Sequence, residues 1–242
     1  GVAYQLYHLF GGKGAVKLGL KHLMPDWQLI RSVVKIASPG TMQFVIASCS
    51  WIFLAKLVAD TGFDTASAGY QTAIRIIMFF ILPAWGLSNA AATLVGQNLG
   101  AKEPERAYRS VMRTAQYNVI FMATVTLISF ICAPQIIALF TNDVAVQDVA
   151  VQAMRLISSG YIFYGIGMVM VSAFNGAGDT WTPTWINLAG FWLFQIPFAY
   201  LLAAVFNMGP TGVFIAIPVA ETLVSLAAWL LFRRGKWKKV QV

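Results

Sequence analysis

The chain has 242 residues, 58% of them hydrophobic and 11% charged, with a formal net charge of +8 and a mean hydropathy of +0.68. A soluble domain of this size cannot keep so much apolar side chain from water, which excludes an ordinary cytosolic domain and implies a membrane protein. The positive charge does not point to nucleic acid, because Lys and Arg gather at the ends of apolar runs, where they mark topology. Cys49 and Cys132 lie in apolar stretches, as packed free thiols do. His8 and His22 have no ligand-spaced partner. No metal, no cofactor and no Ser/Cys–His catalytic arrangement is expected.

Residues 1–32 read as the end of a preceding helix plus a cytoplasmic linker. Residues 1–10 (GVAYQLYHLF) look like the tail of a helix begun earlier, and no signal peptide precedes them, so a fragment of a longer chain is expected. Lys13, Lys17 and Lys21 share one side of a helix over residues 13–24. That pattern fits either a surface helix reaching anionic headgroups or a solvated linker, and Pro25 ends it.

Six transmembrane helices are expected over residues 33–232. The first, about 33–59, carries Gln43, Ser48 and Ser50, and polar groups facing lipid are costly. These three residues should therefore line a cavity. The connection 60–65 holds Asp60 and Asp64. The second span, about 66–96, contains Arg75 and then Pro83, a candidate hinge. Ala84, Ser88, Ala92 and Gly96 follow every four residues, leaving one side bare enough for close helix packing. A loop at 97–113 carries Lys102, Arg106, Arg109 and Arg113; within it Pro104 can start a helix, with Glu103 and Glu105 suited to its N-terminal dipole.

The third span, about 114–140, has no charge, and residues 141–148 form a short acidic connection. The fourth, about 156–178, offers Tyr161 and Tyr164 as candidate cavity-lining groups. Residues 175–184 (NGAGDTWTPT) lack a Walker lysine or a strand–helix setting. They read as a tight turn, with Thr180 or Thr182 capping the next helix. Asn207, Gly209, Pro210 and Gly212 divide a long charge-free run into a fifth span, about 183–206, and a sixth, about 212–232. Residues 233–242 are a basic tail. Trp27, Trp181, Trp185, Trp229 and Trp237 fall where interfacial anchors are expected.

Basic and non-basic connections alternate across the six spans, so both ends should be cytoplasmic. Arg75 and Glu221 each lie about nine residues into their spans, both entered from the outer side, hence at similar depth, roughly 13–15 Å. Pairing is the least costly arrangement for two such charges, and an Arg75–Glu221 ion pair is expected, structural or opened by proton, sodium or a cationic substrate.

GLSNAAATLVGQNLGAKEPERA closely resembles the segment ending the eighth helix of multidrug and toxic compound extrusion (MATE) transporters. NGAGDTWTPTWIN resembles that family's loop between the tenth and eleventh helices, and GPTGVFIAIPVAE the start of its twelfth. The resemblance runs over nearly the whole chain in the right order. It implies an all-α, polytopic, six-helix C-terminal lobe of a twelve-helix, two-lobed transporter, whose partner is the N-terminal lobe. It also implies export of cationic or amphipathic drugs in exchange for H+ or Na+ by alternating access, at the plasma (inner) membrane. Some members carry acidic residues in the seventh and tenth helices, where this chain reads FVIASCS (44–50) and YGIGMV (164–169). The coupling carboxylate then lies in the N-terminal lobe or is Glu221.

A lipid-linked saccharide flippase of the same broad superfamily is the alternative, though it calls for a more basic cavity. A membrane-embedded enzyme lacks metal ligands and paired carboxylates. A channel lacks a repeated polar stripe.

Overall fold

A computed structural model describes residues 25–239. The lysine-faced segment, His8 and His22, and the last three residues of the tail lie outside that range. The chain divides into two compact units, Gly1–Ser38 and Pro39–Val242. In the first, Asp26 Oδ1 accepts from the backbone N–H groups of Gln28 and Leu29 at 2.9 and 3.1 Å, satisfying donors that a helix start leaves open. Trp27, Leu29, Val33 and Val34 are exposed in this unit.

Helix α1 runs Trp27–Gly100, 74 residues. It begins before residue 33, where the first span was expected. A straight helix of that length would reach ~110 Å, several times the thickness of a bilayer core. It breaks at Phe63, whose φ of 57° and ψ of −161° are the only non-helical values inside it. The connection expected at 60–65 shrinks to that residue. Pro83 sits within the second arm, and helical geometry continues through it.

Helix α2 spans Pro104–Ala138, with Pro104 in its first turn and Glu105 at its positive end. Only residues 101–103 separate it from α1, so Arg106, Arg109 and Arg113 ride on helix and not on a loop. Helices α3 (Val144–Ser158) and α4 (Tyr161–Gly176) form a pair bent by 55°. Helix α4 falls within the span expected at about 156–178, and α3 is a further helix before it. The residues read as an acidic connection are mostly the first turns of α3, because Asp143 Oδ1 accepts from Ala145 and Val146 N–H and caps the helix.

Segment α5 covers Trp181–Val205. It includes wide π-helical turns at Leu188–Gln195 and Leu201–Val205, where a plain α-helix was expected. Pro197 brings no N–H to the ladder beside the first of these, which favours a change of register there. Helix α6 spans Pro210–Arg233, followed by a short 3₁₀ turn, Lys236–Lys239. The described residues contain no strand. With α1 counted as two arms and α3–α4 as one bent crossing, the chain is a polytopic, all-α lobe.

Within Pro39–Val242 two apolar clusters hold the helices together. One contains Leu54, Val58, Ile77, Met154 and Phe214; the other contains Val95, Val111, Phe174, Val224 and Phe232. Along α6 the first ends at Ile217 and the second resumes at Val224. Glu221 falls in the interval between them. Near the basic end, Gly176 of α4 lies so close to the second arm of α1 that an added Cβ would clash with the Ala92 backbone. Ala84 and Ser88 are buried, Ala92 is half-buried and Gly96 is exposed. The small-residue face thus meets α4 backbone to backbone around Ala92.

Candidate functional site

Glu221 is 8% exposed and lies where two cavities meet. On one side a cavity of about 250 Å³ is lined by Gln43, Trp85, Tyr164, Asn187 and Phe191, among others. On the other a gap of about 20 Å³ is lined by Trp51, Ile157, Tyr161, Tyr164 and Ile217, among others. Glu221 and Tyr164 border both, and neither cavity has a second charged lining residue. A carboxylate surrounded by apolar and neutral polar groups is strained toward binding a positive partner, since burial of an isolated charge is costly.

The expected Arg75 partner is elsewhere. Arg75 is exposed, whereas Tyr70, Ala73, Ile76 and Ile77 on the same helix are buried. Two residues from Ala73 and from Ile77, at ~100° each, Arg75 points to the opposite side. Equal depth along two helices does not set the rotation of either. Among the described residues the ion pair is Lys238–Glu105, with Nζ 2.6 Å from Oε1, at the basic end.

A polar seam positions the wider cavity. Gln43 and Asn175 exchange side-chain hydrogen bonds of 3.1 and 3.2 Å, and Gln43 Nε2 also donates to the Thr180 carbonyl. Thr184 Oγ1 donates to the Pro39 carbonyl, Trp192 Nε1 to the Ile46 carbonyl, and Ser50 Oγ to Gln195 Oε1. Three of these contacts tie the first arm of α1 to the start and π turn of α5, and those of Gln43 tie it to the end of α4 and the turn that follows. Buried polar groups paired in this way fix a unique register between the helices.

Of the expected lining residues, Gln43, Tyr161 and Tyr164 border these cavities. Ser50 is buried against Gln195 and borders neither, and Ser48 is exposed. Asn175, Asn187, Gln195 and Asn118 were missed. Asn118 Nδ2 donates to the Gly165 carbonyl at 2.9 Å. Each is an amide inside an otherwise charge-free span, and that alone is a signal of an inward face. The turn before α5 is capped by Asp179, whose Oδ1 accepts from Thr182 N–H and Oδ2 from Thr182 Oγ1. Thr180 makes no side-chain cap.

Trp237 is also not an interfacial anchor. It is fully buried, stacks on Phe232 at 4.6 Å, and donates from Nε1 to the Phe232 carbonyl. The tail thereby folds back on the helix it follows. Trp181 and Trp185 are exposed, in keeping with an interfacial position.

The family model MatE matches residues 39–201, most of the six-crossing unit and both arms around the wider cavity. The chain belongs to the MatE family. A probable multidrug resistance protein NorM of Thermotoga maritima is 25% identical over 215 residues, covering 89% of this chain and 46% of that protein. A probable NorM of Rhodopseudomonas palustris is 32% identical over 173 residues, covering 70% of this chain and 36% of its own length. A crystal structure of MATE in the straight conformation superposes with a TM-score of 0.88 at 21% identity, over 99% of this chain and 54% of that one. The likeness to that structure concerns the fold. This MatE chain spans about half the length of the curated relatives it matches, and MatE proteins are multi-pass membrane transporters.

Proposed function

We propose that this chain is the C-terminal lobe of a secondary active multidrug efflux antiporter, completed by an N-terminal lobe. It exports cationic or amphipathic compounds in exchange for H+ or Na+ by alternating access, from the plasma (inner) membrane, with its basic end and C-terminus cytoplasmic. The observation that carries this reading is the single carboxylate, Glu221, set between two cavities inside a membrane lobe. It supports cation recognition within this lobe although the seventh and tenth helices bring no acidic residue. Aromatic and aliphatic lining beside one charge suits lipophilic cations, which are desolvated over most of their surface. The related NorM proteins named as probable multidrug resistance proteins point the same way. Bends for the access change are available at Phe63, at Pro83 and at the α3–α4 break.

The flippase alternative calls for a basic cavity, and Arg75 lines neither of these two. Efflux of a fluorescent lipophilic cation from proteoliposomes of the two-lobed transporter, under imposed pH or sodium gradients, tests the proposal. Export driven by either gradient supports it. Export of no cation under both would overturn it.

A further inference from the structure

A groove runs between α4 and α6 on the side turned away from the Glu221 cavities. One part, about 360 Å³, is lined by Phe163, Pro218, Val219 and Thr222, among others. The part nearer the basic end, about 310 Å³, is lined by Phe163, Ile166, Thr222, Leu226 and Trp229, among others. Phe163 and Thr222 border both, so the two parts are continuous. Gly160 packs so closely on Pro218 that an added Cβ would clash with the proline, and that contact closes the groove from the gap beside Glu221. The walls present hydrocarbon, because Thr222 Oγ1 already donates to the Pro218 carbonyl and Ser225 Oγ lies against Gly167. Phe163, Leu223 and Leu226 are exposed along the groove.

Trp229 is both a wall of this groove and the platform for a cation. The Arg233 guanidinium carbon lies 4.7 Å from the centre of the Trp229 ring, a contact that holds a long, exposed side chain in place. Among the described residues that guanidinium has no hydrogen bond and no ion pair, and Glu105 at the same end is taken by Lys238. Its fork of N–H donors is therefore left for an anion from outside the chain, and the fork matches a phosphate. Arg233 lies eleven residues beyond Thr222 on α6, ~16 Å along the axis, the depth of one leaflet of a bilayer core, ~15 Å. We infer that the groove holds one anionic phospholipid of the cytoplasmic leaflet, with its phosphate on Arg233 and an acyl chain along α4 and α6 as far as Phe163 and Thr222. The inference goes beyond the antiport reading and shares with it only the cytoplasmic placement of the basic end, where the membrane surface is negatively charged. A free phosphate would meet the guanidinium but leave the apolar groove uncovered. A second protein chain would cover the groove but bring no phosphate to Arg233.

The test uses the purified two-lobed transporter in nanodiscs containing phosphatidylglycerol with a photoactivatable group on one acyl chain, followed by peptide mass spectrometry. Label should concentrate on the peptides carrying Phe163–Ile166 and Thr222–Trp229, and unlabelled phosphatidylglycerol should displace it better than phosphatidylcholine. Arg233→Gln changes an exposed residue at a helix end, so the fold should be retained. Labelling of those peptides should then fall about fivefold or more, the weight of one arginine at an anionic membrane surface. Leu226→Trp fills the groove but keeps the arginine, and should lower the labelling similarly. Unchanged labelling in either variant would overturn the site. So would equal displacement by the two lipids, which marks ordinary boundary lipid, or a groove that stays unlabelled because a second copy of the chain covers it. Labelling as expected together with absent cation efflux would support the lipid site and overturn the antiport reading instead.

Discussion

The two spaces that meet at Glu221 are built by different means. The wider one, near the basic end, is framed by paired amides and hydroxyls: Gln43 with Asn175, and Thr184 with the Pro39 carbonyl. The narrower one is framed by aliphatic and aromatic packing beside Tyr161, whose hydroxyl has no hydrogen-bond partner among the described residues. Hydrogen bonds hold helices at defined spacing while leaving room between them, whereas apolar side chains close on one another until little more than a water fits. One carboxylate thus faces a wider space and a narrow, apolar one.

The largest expected effect removes what the two sides share. Glu221→Gln should lower gradient-driven cation efflux at least about tenfold, ~1.4 kcal/mol in barrier terms, while the protein still folds, because a neutral amide is cheaper to bury than a charge. Efflux rates in proteoliposomes and thermal melts in detergent separate the two, and a fully active Glu221→Gln protein would end the shared-carboxylate picture.

Next come changes confined to the wider side. Gly176→Val places a branched side chain against the Ala92 backbone and should destabilise the lobe by about 1–3 kcal/mol, seen as a lower melting temperature. Gln43→Leu strands the Asn175 amide and the Thr180 carbonyl, at a cost of roughly 1–3 kcal/mol. It should weaken binding of a cationic substrate in equilibrium dialysis, and unchanged binding would show that the seam does not set the wider space.

A smaller effect belongs to the basic end. Lys238 donates to Glu105 and lies over the Tyr108 ring at 5.3 Å. The Glu105 carboxyl is held below its usual range, first by the Lys238 hydrogen bond and then by its charge. A depressed carboxyl contributes stability above its unfolded value and loses it as pH falls through the folded one. The tail should therefore stay docked at neutral pH and loosen only as pH falls below the usual glutamate range. Limited proteolysis of the tail against pH measures this, and Lys238→Gln should remove the dependence without altering efflux. The smallest change is Arg75→Gln, on the exposed side of α1. Efflux and melting temperature should match the wild type, and a defect like that of Glu221→Gln would restore the ion pair that the fold separates.

Much of this lobe is legible in the sequence because a bilayer imposes simple rules. Charge-free runs of about 20 residues must be helices, and Lys and Arg at one set of ends must sort the connections. The small-residue repeat at 84–96 is equally direct, since only a face without side chains admits the α4 backbone at Ala92. Connection lengths were overestimated for a related reason. Asp143 reads as a loop residue, yet it caps a helix, and polar residues at a helix N-terminus are ambiguous between the two.

Side-chain chemistry alone marks which residues cannot face lipid, and Glu221, Gln43 and the tyrosines of α4 carry that constraint. Their partners were decided only by the tertiary structure. Helical rotation places Arg75 outside and Glu221 inside, the π turn of α5 brings Gln195 to Ser50, and packing of Gly160 on Pro218 closes the gap that Tyr161 shares with Glu221. These depend on how helices far apart in sequence are turned against one another, and no spacing within one helix encodes that angle.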